Sequence, residues 1–445
     1  MFPTCAMVLV SVCGCATSQV VEGWAVSLEN QDTLVLSPSM LPNWLSATPI
    51  FGSMSWTPRN VLWVCSSYMG GSGLGHQFSP TGQYLGASLG FWVQGSLPNW
   101  NMQALRDGLL WLHGRENVLG THGIWAAVPP SLPSAPPILV AGVPAGLFHD
   151  GAAYDGRYLY CMEQVPPVGA TSHAIWMCDL RHPTHPQRTI LNYALTAPIP
   201  ELHRPMTLGP DGNLLVFDSN TSVLQLVDLD LGTATVISPP LPVTDVRSIA
   251  YNHWSDTVMV LAPVQRVFPP NPSPAHCLLY EFQRSTGQWQ LRYTHWGEAG
   301  WQIEALSTPP FERFGYGCPN SSGSDPQLGW RGLPRQGQTF GLRVHGAEAG
   351  GLAGFWLGTS DTFWPGLGSL PWEASAVGAP GCRLYASSDF SLFTFVDATG
   401  RANVSVAVPV NAALSGLEVY AQSVSTSGGN QLGFAASDAL AIRLR

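Results

Sequence analysis

The fold is decided by the stretch Met206-Thr-Leu-Gly-Pro-Asp-Gly-Asn-Leu-Leu-Val-Phe-Asp-Ser-Asn-Thr-Ser-Val-Leu-Gln-Leu-Val-Asp-Leu-Asp-Leu-Gly-Thr-Ala-Thr-Val-Ile-Ser238. It contains four short apolar runs, at 206–208, 214–218, 223–229 and 233–238, which are separated by turn residues. The Asp–Gly pair at 211–212 is a strong signal for a tight hairpin turn. The stretch therefore predicts one antiparallel sheet of four strands.

The beginning of this stretch recurs along the chain. Five copies lie between residues 50 and 262, and each consists of small or polar residues, a turn and a short strand. Asp–Gly also occupies the turn at 107–108 and 155–156, and successive turns begin 48, 48, 56 and 44 residues apart. A repeated all-β unit of about 40–50 residues is typical of a propeller blade.

The two ends of the repeated region complete the count of blades. Trp301–Leu306 is an innermost strand that no outer strands follow, whereas Gly23–Leu28 and Thr33–Ser37 are outer strands that no inner strand precedes. Joined in one sheet, these segments form a sixth blade. We therefore predict a six-bladed β-propeller over residues 20–310. Seven blades are the alternative, because the segment 37–53 has no clear pattern.

Residues 311–445 have a different pattern. Seven short apolar runs separated by Gly and Pro turns predict a β-sandwich. Within one run, Ala402, Val404, Val406 and Val408 alternate with more polar residues, as in a half-buried antiparallel strand. The predicted strands are Thr339–Val344, Leu352–Leu357, Cys382–Tyr385, Leu392–Val396, Ala402–Val408, Leu417–Gln422 and Leu440–Leu444.

Composition excludes several function classes. The chain has no lysine, which excludes Schiff-base chemistry and a phosphate-binding P-loop. Its net charge is −9 and no basic block occurs, which argues against binding to nucleic acid or to an anionic membrane surface. No Cys-x-x-Cys or His-x-x-x-His spacing occurs, so we expect neither a metal site nor a cofactor.

The N-terminus predicts export. Cys5–Ala16 is a short apolar run that ends in small residues, typical of a signal peptide over residues 1–19 and too short to cross a bilayer. It lacks a positively charged start. Val12-Cys-Gly-Cys15 also resembles a bacterial lipobox, which would make Cys15 a lipid anchor. No other segment has the length and hydropathy of a transmembrane helix.

Six cysteines remain after such cleavage, an even number that is compatible with disulfides in an exported chain. Cys161 and Cys178 end two successive strands, so we expect them to be cross-strand neighbours that can pair. Cys318 and Cys382 both lie in the last third and can also pair. Cys65 and Cys277 are expected to be buried thiols.

Two resemblances support this organisation. His203–Asp218 resembles one blade of NHL-type and streptogramin-lyase-like propellers, which implies the fold but no activity. The tail resembles a C-terminal domain of secreted planctomycete-type bacterial proteins. The elements that carry the second resemblance are Gly317-Cys-Pro319, Gly354-Phe-Trp-Leu-Gly-Thr-Ser360, Gly381-Cys382 and Leu417–Gln422. It implies an exported protein and a disulfide between Cys318 and Cys382.

The candidate site follows from the propeller prediction. Innermost strands begin around the mouth of the central channel, where ligands usually bind. The polar residues expected there are Asn101, His149, His203, Arg204, Arg247, Gln302 and Glu304. Such a ring suits an anionic or sugar-like ligand, although channel mouths are also polar simply because they contain water.

The function favoured by the sequence is an exported binding or scaffold protein. Its ligand at the top face is unknown, and a glycan or a protein is the expected kind. The alternative is a propeller enzyme, either a lyase or a glycan-active hydrolase, with its site at the channel mouth. An enzyme would need a deep pocket that holds a carboxylate or histidine with a perturbed pKa.

Overall fold

The computed structural model describes residues 309–445 throughout. Before residue 309 it describes the strands given below, the turns at 155–157 and 180–181, and residues 205–305 with gaps at 244–245, 265–275 and 297–299. The side chains of the strands that precede Ala153 lie outside the described residues.

The N-terminal unit, residues 24–305, consists of strands β1–β24. The first twelve are β1 (Trp24–Leu28), β2 (Thr33–Leu36), β3 (Pro42–Ser46), β4 (Met54–Trp56), β5 (Leu62–Ser67), β6 (Ser72–Phe78), β7 (Tyr84–Trp92), β8 (Asn101–Ala104), β9 (Leu110–Arg115), β10 (His122–Ala127), β11 (Ile138–Gly142) and β12 (Leu147–Tyr154). The others are β13 (Tyr158–Glu163), β14 (Ser172–Asp179), β15 (Gln187–Ala194), β16 (Met206–Leu208), β17 (Leu214–Asp218), β18 (Val223–Asp228), β19 (Thr233–Val236), β20 (Ser248–Asn252), β21 (Thr257–Val264), β22 (His276–Gln283), β23 (Gln288–Trp296) and β24 (Gly300–Ala305).

These strands form six antiparallel sheets of four strands each. Five sheets are continuous in sequence, β4–β7, β8–β11, β12–β15, β16–β19 and β20–β23. The sixth has the order β24-β1-β2-β3, with Trp24 opposite Ala305 and Val26 opposite Ile303. Strands from the two ends of the unit therefore share one sheet, as the sequence predicts.

The first strand of each sheet contacts the first strand of the next sheet. The contacts run from β4 to β8, β12, β16, β20, β24 and back to β4. Apolar side chains fill the space between neighbouring sheets. Phe217 and Leu224 of one sheet, for example, share a buried cluster with Ile249 and Val260 of the next. The N-terminal unit is thus an all-β, propeller-like arrangement.

The C-terminal unit, residues 311–445, is also built from strands. They are β25 (Phe311–Phe314), β26 (Gln327–Arg331), β27 (Thr339–His345), β28 (Leu352–Gly358), β29 (Phe363–Trp364), β30 (Gly368–Ser369), β31 (Trp372–Glu373), β32 (Arg383–Leu384), β33 (Phe390–Phe395), β34 (Ala402–Ala407), β35 (Glu418–Thr426) and β36 (Phe434–Arg443). One antiparallel sheet has the order β25-β36-β35-β28-β33 and another has the order β26-β27-β34.

One apolar core joins these two sheets. Phe355 and Leu440 of the five-stranded sheet pack in the same buried cluster as Phe340 and Val406 of the three-stranded sheet. The alternation predicted for 402–408 is present, because Ala402 and Val406 are buried while Asn403 and Ser405 are exposed. The sequence did not predict β25 or β26.

The cysteine predictions have mixed outcomes. Cys318 and Cys382 form a disulfide, as expected. The predicted Cys161–Cys178 bridge is wrong, since both residues remain buried thiols. Cys161 lies opposite Trp176, and Cys178 lies opposite Leu159, so the two cysteines are diagonal rather than direct neighbours. Burial raises the pKa of the Cys178 thiol to about 12. Cys277 is a buried thiol, as expected.

Candidate functional site

The structure places part of the predicted ring on the innermost strands. Asn101 is the first residue of β8, and His149 lies in β12. Arg247 directly precedes β20, is half-buried, and donates its backbone N–H to Leu261 O at 3.0 Å. Gln302 and Glu304 lie in β24. His203 and Arg204 fall outside the described residues, as do the side chains of Asn101, His149, Gln302 and Glu304.

Asn101 and Arg247 lie where their strands begin, and Gln302 and Glu304 lie beside one of these beginnings. The backbone N–H of Ile303, which stands between them, donates to Ser248 Oγ at 3.1 Å, and Ser248 is the first residue of β20. The turns that follow the innermost strands lie at the other end of these strands.

The best-described polar site lies at that other end, where the innermost strands turn into the second strands. The C-terminal unit contacts these turns in three consecutive sheets. The contacts are made at Asp155–Arg157, at Asp211–Gly212 and at Trp254. The two units also share a continuous apolar cluster, in which Tyr160 and Val216 pack with Phe311 and Trp330.

The turn of the β12–β15 sheet is held by its aspartate. Asp155 Oδ1 accepts the backbone N–H groups of Arg157 at 2.9 Å and Tyr158 at 2.7 Å, and Oδ2 accepts the Tyr160 hydroxyl at 3.1 Å. Gly156 has a φ of 104°, and a Cβ there would lie 1.9 Å from the carbonyl oxygen of Arg313. Glycine is therefore required both by the turn and by the approach of β25.

The Arg157 side chain extends from this turn into the buried interface between the two units. Its side chain is 1% exposed, and its Nε and Nη2 lie 3.0 and 2.5 Å from Asp179 Oδ2. Its Nη1 lies 3.5 Å from Asp438 Oδ2 of β36, a carboxylate that is 0% exposed. The guanidinium thus links β14 of the N-terminal unit to the five-stranded sheet of the C-terminal unit.

Arg313 makes the reciprocal link. Its Nε lies 2.9 Å from Asp155 Oδ2, and its Nη1 lies 2.6 Å from Asp438 Oδ2 and also donates to Leu328 O. Its backbone N–H donates to Asp155 O at 2.7 Å. Burial alone would lower the pKa of Arg313, but the charges of Asp438 and Asp155 raise it well above the usual value. The guanidinium therefore stays charged.

We call Asp155, Arg157, Asp179, Arg313 and Asp438 the interdomain ion cluster. It contains three carboxylates and two guanidinium groups, and each charge faces an opposite one. Burial, followed by the negative charge of Asp155, raises the pKa of Tyr160 well above its usual value, so its hydroxyl remains a donor to that carboxylate. Paired and hydrogen-bonded charges of this kind are costly to break singly.

The next sheet contributes a second contact. Asp211 Oδ1 accepts the backbone N–H of Gly332 at 2.8 Å, and Asp211 O accepts from Arg343 Nη2 at 3.1 Å. Gly212 has a φ of 75°, and a Cβ there would lie 3.2 Å from the ring of Trp330. This Asp–Gly turn thus uses its carboxylate and its missing side chain in the same way as the Asp155–Gly156 turn.

Further contacts extend the interface on both sides. Asp230, in the turn after β18, lies 3.0 Å from Arg343 Nη1 and 3.4 Å from His345 Nε2. In the third sheet, Trp254 O accepts from Arg335, and the Arg445 guanidinium lies 5.1 Å above the Trp254 ring. Stacking of a cation on indole stabilises such a contact.

Sequence reasoning missed the interdomain ion cluster, although two signals for it are present. Asp438 is the only charged residue in the apolar run 434–442, and Arg313 lies between Phe311 and Phe314. A charged residue within an apolar strand indicates a buried partner. Within the described residues, no group of three or more His, Cys, Asp or Glu side chains is placed to hold a metal ion. The described part of the chain also has no helix with the length and hydropathy needed to cross a bilayer.

No protein-family model and no curated protein sequence matches this chain. Among solved structures, it is similar to the periplasmic gluconolactonase of Pseudomonas aeruginosa, at 11% identity over 65% of this chain and 99% of the other, with a TM-score of 0.46. It is also similar to the calcium-binding protein regucalcin from Agrobacterium tumefaciens, at 13% identity over 57% of this chain and 85% of regucalcin, with a TM-score of 0.37. A copper-bound fungal alcohol oxidase of the AA5 family matches at 10% identity over 96% of this chain and 98% of the oxidase, with a TM-score of 0.37. Likenesses at this level carry no argument about activity.

Proposed function

We propose that this chain is an exported binding protein that holds its ligand at the end of the N-terminal unit opposite the C-terminal unit. The observation that carries this proposal is the docking at the strand turns. The C-terminal unit contacts the turns of three consecutive sheets, through buried ion pairs in the first sheet and hydrogen bonds in the other two, and shares an apolar core with the N-terminal unit. The beginnings of the innermost strands lie at the other end.

In this proposal the N-terminal unit is a six-bladed β-propeller over residues 20–310, and residues 311–445 are a β-sandwich. The closed cycle of contacts among the six innermost strands supports the propeller, as does the sheet that combines β24 with β1. The apolar core shared by a five-stranded and a three-stranded sheet supports the sandwich. In this proposal the C-terminal unit stays packed against one end of the propeller and does not move independently of it.

The ligand class follows from the residues at the strand beginnings. Asn101 and Arg247 lie there, and His149, His203 and Arg204 complete the proposed ring. Arginine and histidine make this end locally positive on a chain of net charge −9, a contrast that concentrates anionic ligands. We therefore propose an anionic glycan as the ligand. Gln302 and Glu304, which flank Ile303 beside the beginning of β20, are further candidate contacts.

Export is supported by the disulfide between Cys318 and Cys382, because structural disulfides persist in oxidising compartments. Removal of residues 1–19 as a signal peptide, or lipid attachment at Cys15, belongs to the same proposal.

A binding measurement tests the proposed function. Polygalacturonate serves as the anionic probe and dextran as the neutral one, and affinity is measured by titration calorimetry with the full chain. We expect Arg247→Ala to weaken polygalacturonate binding at least tenfold at a temperature where circular dichroism shows that the variant is fully folded. Arg383→Ala is the matched control, since it removes a half-buried arginine of the C-terminal unit.

The proposal fails if polygalacturonate does not bind more tightly than dextran, or if the two arginine variants lose affinity equally. Shortening of the polymer during the titration, abolished by Arg247→Ala, would instead favour a lyase or hydrolase at the same end.

A further inference from the structure

Aromatic rings line the outward face of the five-stranded sheet, which is turned away from the apolar core of the C-terminal unit. Phe355 and Leu357 of β28 point into that core, so Gly354 and Trp356 lie on the outward face. Phe393 of β33 lies opposite Gly354 and shares this face. A Cβ on Gly354 would lie 2.9 Å from the Phe393 ring and 3.5 Å from Trp356 Nε1. The two rings therefore flank the bare α-carbon of Gly354, and a side chain there would displace Phe393.

The line of rings continues in both directions. On one side Trp364 of β29 packs against Trp356 edge to face, with the ring centroids 5.3 Å apart. On the other side Phe395 and Leu352 lie opposite each other on the same face. Phe393 and Phe395 are 62% and 77% exposed, and Leu352 is 39% exposed. We call these five residues the aromatic row.

Neighbouring segments cover the surroundings of the aromatic row but not the row itself. The segment 359–386, which contains Cys382 of the disulfide, packs on the outward face beside Trp356 and Trp364. The lateral edge of β33 lies beside β34 and the turn at 397–401. Phe393, Phe395 and Leu352 remain open to solvent above the sheet. Exposed apolar side chains that lie together in this way mark a binding surface.

The polar groups around the row are uncharged. The indole N–H groups of Trp356 and Trp364 donate to no atom in the part of the chain that the structure describes, and neither nitrogen is buried. The outward residues of the three strands β33, β28 and β35 include no Asp, Glu or Arg; they are Ser391, Phe393, Phe395, Leu352, Gly354, Trp356, Gly358, Tyr420, Gln422, Val424 and Thr426. Such a surface suits a neutral ligand that combines an apolar face with hydrogen-bonding groups.

Area and charge together decide the class of ligand. The exposed parts of Phe393, Phe395 and Leu352 amount to roughly 300–400 Å². This is well below the roughly 800 Å² per partner of a standard stable protein interface, so the row is too small for a protein partner. Without a basic residue, this face also offers no counter-charge to an anionic lipid. A neutral sugar ring fits both limits, because its C–H face covers an aromatic ring while its hydroxyl rim accepts from an indole N–H.

We propose that the aromatic row binds a neutral, β-1,4-linked glucan chain, at a site separate from the strand beginnings of the N-terminal unit. In this linkage all hydroxyls are equatorial, so each sugar ring presents a flat apolar face and successive rings lie in line. The Trp356 and Trp364 centroids are 5.3 Å apart, and alternate residues of a strand are about 6.8 Å apart. These spacings are comparable with the length of one sugar residue. Consecutive sugars of one chain therefore contact consecutive rings of the row.

Titration calorimetry of the full chain with cellohexaose tests this inference, and α-1,6-linked isomaltohexaose is the comparison sugar because its flexible linkage does not hold successive rings in line. We expect Phe393→Ala to raise the dissociation constant for cellohexaose at least about fivefold. Val410→Ala is the matched control, because Val410 is an 83% exposed apolar residue of the same unit that follows β34 of the other sheet. Saturation-transfer NMR of the unmodified chain needs no variant. Irradiated aromatic protons should transfer saturation to the ring C–H protons of cellohexaose and not to those of isomaltohexaose.

The inference is overturned if cellohexaose does not bind, or if isomaltohexaose binds equally well. Equal weakening by Phe393→Ala and Val410→Ala also overturns it. Loss of cellohexaose binding in Arg247→Ala would assign the sugar to the N-terminal unit instead. The binding of polygalacturonate is measured independently, so failure of this inference and failure of the proposed function are distinguishable.

Discussion

Replacing Asp438 tests whether the interdomain ion cluster holds the two units together. The carboxylate is 0% exposed, accepts from Arg313 Nη1 at 2.6 Å and from the Leu328 N–H at 2.7 Å, and lies 3.5 Å from Arg157 Nη1. Asp438→Ala would leave the two buried guanidinium groups with Asp155, Asp179 and the more distant Asp325, whose Oδ2 lies 4.0 Å from Arg157 Nη2, as counter-charges.

The expected loss in the free energy of unfolding follows from the burial of the Asp438 carboxylate. Removing one partner of a buried ion pair usually costs about 3–5 kcal/mol, because the remaining charge stays desolvated. We expect Asp438→Ala to lower the free energy of unfolding by an amount in this range. Asp438→Asn should lower it less, because the amide oxygen can still accept the Leu328 N–H although the charge is gone. Exposed Glu373→Ala is the control and should change the free energy of unfolding by no more than about 0.5 kcal/mol.

Hydrogen exchange measured as a function of urea concentration is the appropriate assay, because it reports each unit separately. The amides of 153–161 and of 311–316, which face each other across the cluster, should lose protection first. The double variant Asp438→Asn with Arg313→Gln should lose less free energy of unfolding than the sum of the losses in the two single variants, by at least about 1 kcal/mol. A cost below about 1 kcal/mol for Asp438→Ala, or strictly additive costs, would refute the role assigned to the cluster.

Two further predictions concern the disulfide and the histidines His253 and His345. Reducing Cys318–Cys382, which spans 64 residues, should destabilise the C-terminal unit by about 4 kcal/mol on the chain-entropy model; an unchanged urea midpoint after mass spectrometry has verified reduction would contradict this. Burial lowers the pKa of His253 to about 3 and that of His345 to about 4, from 6.5 in an unfolded chain. The unfolded state therefore binds more protons below pH 6.5, and the free energy of unfolding should fall by on the order of 1.4 kcal/mol per pH unit for each histidine as the pH is lowered from 6.5 toward 4. His253→Gln should reduce this slope, and urea titrations at several pH values that show the same slope in both proteins would rule out His253 as a source.

Local signals in the sequence were sufficient to predict most of the strand pairing in the N-terminal unit. The Asp–Gly turn at 211–212 and the apolar runs around it predict β16–β19 because neighbouring strands in this sheet are also neighbours in sequence. The shared sheet of β24 and β1 was predictable by counting unpaired strands at the two ends. In the C-terminal unit, by contrast, β25 pairs with β36 across more than 120 residues, and no local pattern indicates that pairing.

The interdomain ion cluster was beyond sequence reasoning for the same reason. Arg313 lies 158 residues from Asp155 and 125 residues from Asp438, so their contact depends on how the units dock. The Cys161–Cys178 error arose from register. Strand ends can be located to within a residue or two, but one such shift decides whether two cysteines are direct or diagonal neighbours.

The Asp–Gly turns have a second role that their hairpin geometry alone does not require. Gly156 allows the Arg313 carbonyl to approach, and Gly212 allows the Trp330 ring to approach. Asp155 accepts from Arg313, and Asp211 accepts from Gly332. The glycine that the turn needs for its positive φ thus also leaves room for the C-terminal unit, because it has no side chain. The neighbouring aspartate supplies a hydrogen-bond acceptor at the same place. Repetition of one turn in adjacent sheets therefore produces a docking surface with regular spacing. This surface is occupied by the C-terminal unit, which leaves the opposite strand beginnings as the end at which we propose that the ligand binds.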